Sequence, residues 1–267
     1  MENPAIHVRE DHLCVISDLH LGNPAFLKQD YLRSFINYLA KNGISLCING
    51  DGIDLLQYSR QKLLIDFQAV VKSLKDLVYR GGKKIYYVVG NHDFSFESYL
   101  AESGLFSIIP SLRVVSGNRK IHIEHGHIYD QPFRNFPRLH LHLSKVLGKL
   151  LKVSPRFFHL YFKIEWFLHE MQNRKLNGSK SKMLDTSGNL SAALKFFSRG
   201  FDIVIFAHTH RHGLHILDGG KILANAGAWT SEKSHYLEIK DGAISLKEWR
   251  AQASASRVRG GTADERR

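Results

Sequence analysis

Five short polar clusters in this chain carry residue types that bind metal ions. They are Asp18-x-His20, Gly50-Asp51-x-x-Asp54, Gly90-Asn91-His92-Asp93, His125-Gly126-His127 and His208-x-His210. The donors are carboxylate, amide and imidazole, with no thiolate among them. That set suits Mn²⁺, Fe or Zn²⁺ and excludes a structural thiolate zinc site. Seven donors are too many for one tetrahedral ion. They suit two ions bridged by a carboxylate, an arrangement that activates water and clamps phosphoryl charge. Asp54 reads as a supporting or helix-start residue. His127 remains open between supporting, substrate-facing and surface roles. His212 and His215 follow the last cluster on an expected strand and read as structural.

The clusters need elements to position them, and each follows a short apolar run. HLCVIS leads into Asp18, ISLCIN into Asp51 and KKIYYVV into Asn91, while RKIHI precedes His125 and FDIVIF precedes His208. Runs of this length, rich in β-branched and aromatic residues, predict buried strands. The carboxyl ends of strands are where ligands collect in α/β sheets. Asp18 and His20, at i and i+2, would leave a strand on the same side. Leu27, Tyr31, Phe35 and Leu39 mark one helical face, and Leu63 to Val78 another that stops before Gly81-Gly82. Alternating strands and helices in the first half imply parallel pairing with right-handed crossovers. The closely spaced runs LHILD, KILANAG, HYLEIK and AISLKEW add antiparallel or mixed sheet in the second half. The expected architecture is an α/β sandwich of two packed sheets with outer helices, interrupted once.

The interruption is residues 131–185. It carries 11 Lys and Arg against 3 acids, and residues 250–267 carry 5 against 2. These two segments hold +8 and +3 of the chain's formal +12, so the remaining body is nearly neutral. The interruption reads as helical, with Phe136, Leu139, Leu143, Leu147 and Leu150 at helical spacing. After Ser154-Pro155, six aromatics fall within residues 157–167 and do not fit one stripe. Such an insert is expected to act as a lid or a membrane-contacting surface. Its His140, His142, His159 and His169 read as ordinary helix surface. The tail from Ala251 lacks apolar residues to pack and is expected to be disordered. The 267 residues are enough for a sizeable core, and 43% are hydrophobic. No apolar run approaches the ~18–20 residues of a membrane span, and the first twelve residues are polar, unlike a secretory signal. Cys14 and Cys47 lie in apolar runs, which fits reduced thiols and a cytoplasmic setting rather than a disulfide scaffold.

The order and wording of the clusters, SDLH, GDGID, GNHD, EHGH and AHTH, resemble the calcineurin-like metallophosphoesterases. The resemblance covers about residues 12–250 and implies a four-layer αββα sandwich holding two divalent metal ions. Manganese is the first choice, with iron or zinc as alternatives. It assigns Asp18, His20, Asp51 and His210 to one ion. Asp51, Asn91, His125 and His208 go to the other, with Asp51 bridging. His92 would face the scissile phosphate, stabilising charge or protonating the leaving oxygen, and Asp93 would orient its ring. The implied reaction is attack by a metal-bridging hydroxide on a phosphoester or diphosphate.

Within the family, ISDLHLG, His125–Asp130 as H-G-x-x-x-D, the helical insert after it and Asn225–Trp229 (NAGAW) resemble the UDP-2,3-diacylglucosamine pyrophosphatase branch of lipid A synthesis. That branch usually has Arg at the position of His92, Asp at that of His127 and Gly at that of Ala207. The likeness implies a phosphorylated small-molecule or lipid substrate, met by Arg134, Arg138 and Lys145 at the phosphates and by the insert's aromatics at acyl chains. It also implies a domain formed by residues 1–130 and 186–250 with residues 131–185 as its lid. Location would be cytoplasmic, with peripheral contact at the inner face of the membrane. A nuclease or nucleotide phosphodiesterase of the same superfamily is the second reading, disfavoured by the nearly neutral body. A metal-free scaffold of the same fold is the third, disfavoured because every ligand position is filled. Oligomeric state has no signal in the sequence.

Overall fold

The computed structural model describes residues 5–22, 26, 28–53, 65–93, 107–129 and 188–250. The proposed lid, the tail and Asp54 lie outside these described residues. So do Asp130, Arg134, Arg138 and Lys145, and the histidines at 140, 142, 159 and 169.

Two six-stranded sheets form the centre. One is built from β2 (His12–Ile16), β3 (Ser45–Asn49), β4 (Ile85–Val88), β5 (Ser107–Ile109), β11 (His235–Lys240) and β12 (Ala243–Glu248). Its order is β12-β11-β2-β3-β4-β5, with β2 to β5 parallel and β11 antiparallel to both neighbours. The other uses β1 (Ala5–Arg9), β6 (Ser111–Ser116), β7 (Arg119–Ile123), β8 (Ile203–Phe206), β9 (Gly213–Ile216) and β10 (Ile222–Asn225). Its order is β1-β6-β7-β8-β10-β9. We refer to them as the first and second sheets.

Period-two alternation explains the layering. Leu13 and Val15 of β2, Cys47 of β3, and Tyr86 and Val88 of β4 face inward. They meet Ile121, Ile123, Ile203 and Ile205 of the second sheet in one buried cluster. Their neighbours Cys14, Ile16, Leu46, Ile48, Ile85 and Tyr87 face outward. They are covered by α1 (Gln29–Asn42) and α2 (Gln68–Tyr79) through Leu32, Phe35, Ile36, Leu39, Val70 and Leu77. On the far side, α3 (Asn189–Ser198) lays Ala192, Ala193 and Phe196 on Val204, Phe206 and Leu223. The result is helix, sheet, sheet, helix, as the sequence implies. Cys14 and Cys47 are both buried free thiols.

The strands before all five clusters appear where their apolar runs lie. Helix α2 runs from Gln68 just after the helical residues 65 and 66, Leu63 lies outside the described residues, and the chain turns after α2 through the left-handed Gly82. The short strands β1, β5 and β6 and helix α3 have no counterpart in the sequence reading. β1 is a half-exposed edge strand, AIHVR, none of whose residues is fully buried, so its alternation is weak.

Candidate metal centre

The centre lies where strands of both sheets end. From the first sheet, β2 runs into Asp18 and His20, β3 into Asp51, and β4 into Asn91, His92 and Asp93. From the second, β7 runs into His125 and His127, and β8 into His208 and His210. His125 continues the inward parity of Ile121 and Ile123, which aims its ring between the sheets. The carboxylates and one amide therefore come from one sheet, and the other supplies only imidazoles.

Convergence at Asp18 and His20 does not come from strand alternation, contrary to the same-side expectation. Both residues lie beyond β2 with φ of 52° and 48°. Asp51, His208 and His210 are left-handed too, at 49°, 68° and 57°. Asp241 is the one other non-glycine among the described residues with positive φ. Each such conformation costs on the order of 1–3 kcal/mol and persists only where surrounding structure enforces it. The enforcement is visible. The β2–β3 pairing continues past the strands, with Asp18 N–H donating to Gly50 O (3.1 Å), His20 N–H to Asp51 O (2.9 Å) and Leu21 N–H to Gly52 O (3.0 Å). Trp229 N–H holds Asp18 O at 3.2 Å, and the Ser17 hydroxyl donates to Gly227 O at 2.7 Å. The Asn225–Trp229 segment thus backs the first ligand loop.

Two glycines are required by close approach. A Cβ on Gly50, whose φ is 78°, would lie 2.2 Å from His125 Nδ1. One on Gly90 would lie 2.2 Å from Asp51 Oδ1. The GD and GN dipeptides are therefore steric conditions for packing ligands shoulder to shoulder.

Ligating atoms gather in three overlapping groups, each within 4.8 Å: Asp18, His20 and His210; Asp51, His125 and His208; and His20, Asp51 and His92. His210 Nε2 is 3.3 Å from Asp18 Oδ1 and 3.4 Å from His20 Nε2. His125 Nε2 is 3.3 Å from both Asp51 Oδ2 and Asn91 Oδ1. All seven expected ligands are thus brought together. His92 packs its ring edge-on against His20, with centroids 4.8 Å apart. Its position allows ligation as well as contact with a phosphate. Neither His212 nor His215 falls in a ligand group among the described residues; His212 stacks on His235 at 3.7 Å.

Electrostatics show what the site demands. Burial pushes the Asp51 carboxyl up, but His125, His92 and His20 outweigh it and hold it well below the usual carboxylate value. Asp18 is also held low, as His210 and His125 overcome burial. His125 is raised to about 9, because Asp51 outweighs the burial that would lower it. His20 falls to about 4 through burial and the neighbouring His92. Both Asp18 carboxylate oxygens are buried, and apart from the contact of Oδ1 with His210 Nε2 they have no hydrogen-bond partner among the described residues. A buried carboxylate in that state is costly unless a cation meets it. The donor set therefore fits two divalent ions, with Asp51 shared.

Asp93 serves the loops. Its Oδ1 accepts from Gly90 N–H at 2.6 Å, and its Oδ2 accepts from Gly52 N–H at 3.0 Å and from the Tyr87 hydroxyl. Burial and the nearby Asp51 raise it to about 6. Two positioning residues escape the motif reading. Asn49 Nδ2 donates to Glu124 O across the sheets at 3.2 Å, and the Asn49 carbonyl lies 2.9 Å from His125 Nδ1. That contact directs His125 Nε2 at the ions. Asn225 Nδ2 donates to Ala207 O and Thr209 Oγ1 at 3.0 and 3.2 Å, bracing the loop of His208 and His210. Asn49 precedes Gly50-Asp51 at inward strand parity, a signal available from sequence.

Comparison with known proteins agrees with this geometry. The family pattern described as "Calcineurin-like phosphoesterase" matches residues 12–212. A protein of Haemophilus influenzae (strain PittGG) named UDP-2,3-diacylglucosamine hydrolase is 28% identical over 236 residues, covering 86% of this chain and 95% of its own. Its counterpart from strain ATCC 51907 / DSM 11121 / KW20 / Rd is 28% identical over 214 residues, covering 76% and 85%. Among solved structures, a dimetal phosphatase of Danio rerio aligns with TM-score 0.49 and 13% identity, covering 89% of this chain and 95% of its own. With the family pattern spanning most of the chain and its ligand residues gathered at one place, the protein belongs to the calcineurin-like phosphoesterase family and is a phosphoester hydrolase.

Proposed function

We propose that this hydrolase cleaves the diphosphate of a UDP-diacylglucosamine-like nucleotide-sugar lipid. The observation that carries the chemistry is the pair of donor groups meeting at Asp51, with the buried Asp18 carboxylate beside them. Support for the substrate is the name of the two Haemophilus relatives, whose likeness extends over 86% and 76% of this chain. When bound, two divalent ions supply an activated water and neutralise phosphoryl charge. Manganese is the proposed native metal.

The chain's own residues complete the work. Asp18, His20, Asp51 and His210 would hold one ion, and Asp51, Asn91, His125 and His208 the other. His92 lies beside His20 and Asp51, where it meets the attacked phosphoryl group. There it stabilises charge or delivers a proton to a leaving oxygen. Asp93 keeps the β3 and β4 loops together so that these groups stay aligned. Arg134, Arg138 and Lys145 are proposed to meet phosphate, and the aromatics of residues 131–185 to meet acyl chains at a membrane surface. Among the described residues no helix is long and apolar enough to cross a membrane.

The test is release of UMP from UDP-2,3-diacylglucosamine by the Mn²⁺-loaded protein, with bis-p-nitrophenyl phosphate as a simple diester control. Turnover of both supports the proposal. Activity confined to the control removes the lipid substrate and leaves the phosphoesterase. Salt-sensitive binding and cleavage of nucleic acid at ~100 mM salt would move the substrate to a polynucleotide.

A further inference from the structure

Two imidazoles outside the seven ligands flank the centre, and they stand at different ends of it. His92 packs on His20, which groups with Asp18 and His210. His127 packs on the other end: its ring centroid is 5.4 Å from that of His125 and 6.4 Å from that of His208. His127 is half-buried at the rim and belongs to none of the three ligand groups.

A dedicated bracket holds its turn. His127–Tyr129 form one 3₁₀ turn, closed by Tyr129 N–H donating to Gly126 O at 3.0 Å. The Tyr129 hydroxyl donates to Glu124 Oε2 at 3.1 Å, and His122 Nε2 lies 3.0 Å from the same oxygen. His122 and Glu124 are buried, and the His122 ring stacks on Phe196 of α3 at 3.8 Å. Strand parity turns both side chains away from the centre, so the metals make no use of them. A buried carboxylate and imidazole tied to a half-buried phenol are an expensive way to fasten a loop that only covers the surface. They make sense where the turn carries a group that must not drift.

Resting on the diphosphate reading above, we propose that His127 is a specificity-determining residue that donates a hydrogen bond to the leaving phosphoryl group. Tyr129, Glu124 and His122 are its positioning residues. In the step served, the water oxygen bonds to the attacked phosphorus and the bridging P–O bond breaks. The electron pair of that bond stays on the leaving phosphate, and the water's two protons are shared between the two phosphate monoesters formed. A leaving phosphate needs no proton at neutral pH, but its developing charge needs a donor. The His92 end is taken by the attacked group, and His127 meets the second. A substrate with a single phosphoryl group gains far less from His127, so the residue selects diphosphates.

The Mn²⁺-loaded protein and its His127→Ala, His127→Asn and Tyr129→Phe variants are compared with two probe pairs. Turnover is read as kcat/KM for UDP-2,3-diacylglucosamine divided by that for bis-p-nitrophenyl phosphate. Binding is read by calorimetry as the Kd of uridine 5′-(α,β-methylene)diphosphate against that of UMP, with metal content measured for each variant. A hydrogen bond to a charged group predicts that His127→Ala lowers both diphosphate preferences by about ten- to hundredfold with two ions retained. His127→Asn, which keeps an N–H donor, should recover part of the loss. Tyr129→Phe should shift the ratios in the same direction by less, which a loss of stability alone would not do. Equal losses on both members of each pair, or loss of metal from His127→Ala, overturn the inference. If the wild type hydrolyses only the simple diester, the proposed lipid falls separately. The methylene diphosphate pair then decides His127: an unchanged preference in His127→Ala overturns its role, and a collapsed one upholds it.

Discussion

The two sheets bring unequal things to the centre. The first contributes both candidate ligand carboxylates, the amide of Asn91 and a single candidate ligand imidazole; the second contributes imidazoles alone. Apart from its partner, each half is a poor site. In the first, Asp51 pushes Asp18 and Asp93 upward, so its acids repel one another. The imidazoles of the second reverse that balance, and His125 and His210 pull Asp51 and Asp18 back down. The centre is thus a property of the interface, and the apolar contact of Leu13, Val15 and Val88 with Ile121, Ile123 and Ile205 is what creates it.

The sharpest way to break this division is at the residue both ligand groups need. Asp51→Ala should lower metal-dependent hydrolysis of bis-p-nitrophenyl phosphate by roughly 10³-fold or more, since a dinuclear clamp is worth several kcal/mol. Metal content measured on the same sample should fall with it. Retained turnover would remove Asp51 as the shared ligand. Next in size is His92→Ala, which should keep both ions and lower kcat about 10²–10⁴-fold, the range of a positioned acid or base. Loss of an ion in that variant would make His92 a ligand, as its closeness to His20 and Asp51 permits.

Asn49→Ala tests the seam between the sheets. It removes the side-chain bond to Glu124 O beside His125 and should weaken metal binding about 10–100-fold, as supporting residues of metal ligands do. A chelator titration followed by activity reads that affinity. An unchanged midpoint would show that apolar packing alone sets the register.

The smallest effect is expected far from the seam, at Glu238 of β11. Burial raises its carboxyl, but bonds to Lys247 and His12 outweigh this and lower it. A depressed folded-state value means that stabilisation is present above the unfolded carboxyl's ~4.3 and is lost as pH falls through the folded value. Glu238→Gln should therefore flatten the stability slope below about pH 4.3, by at most about 1 kcal/mol for a half-exposed pair. Urea unfolding at several pH values measures it, and metal binding at neutral pH should not respond.

The gathering of the candidate ligands was legible because it depends on residue type and on strand ends. Asp18, His20, Asp51, Asn91, His125, His208 and His210 each follow an apolar run whose length and composition can form a buried strand. Strand β1, in contrast, was missed because an edge strand needs no apolar face on both sides. The reason Asp18 and His20 converge was also missed. Alternation suggested that they share a strand face, whereas left-handed turns held by Gly50, Asp51, Gly52 and Trp229 aim them. Local sequence cannot announce such turns at non-glycine positions, because the contacts that hold them come from residues distant in sequence.

The sequence by itself determined the donors, their order and the strands that deliver them, since these follow from side-chain chemistry and period-two burial. The charge could likewise be divided by counting, into a nearly neutral body and two basic segments. Only the tertiary structure decided that both candidate ligand acids come from one sheet and three of the four candidate ligand imidazoles from the other. It also decided that Asn49 and Asn225 brace them, and that Tyr129 tied to the buried Glu124 and His122 fastens the turn of His127 at the rim. Those outcomes depend on distances between segments up to about two hundred residues apart. Packing two twisted sheets fixes such distances, and no local pattern contains them.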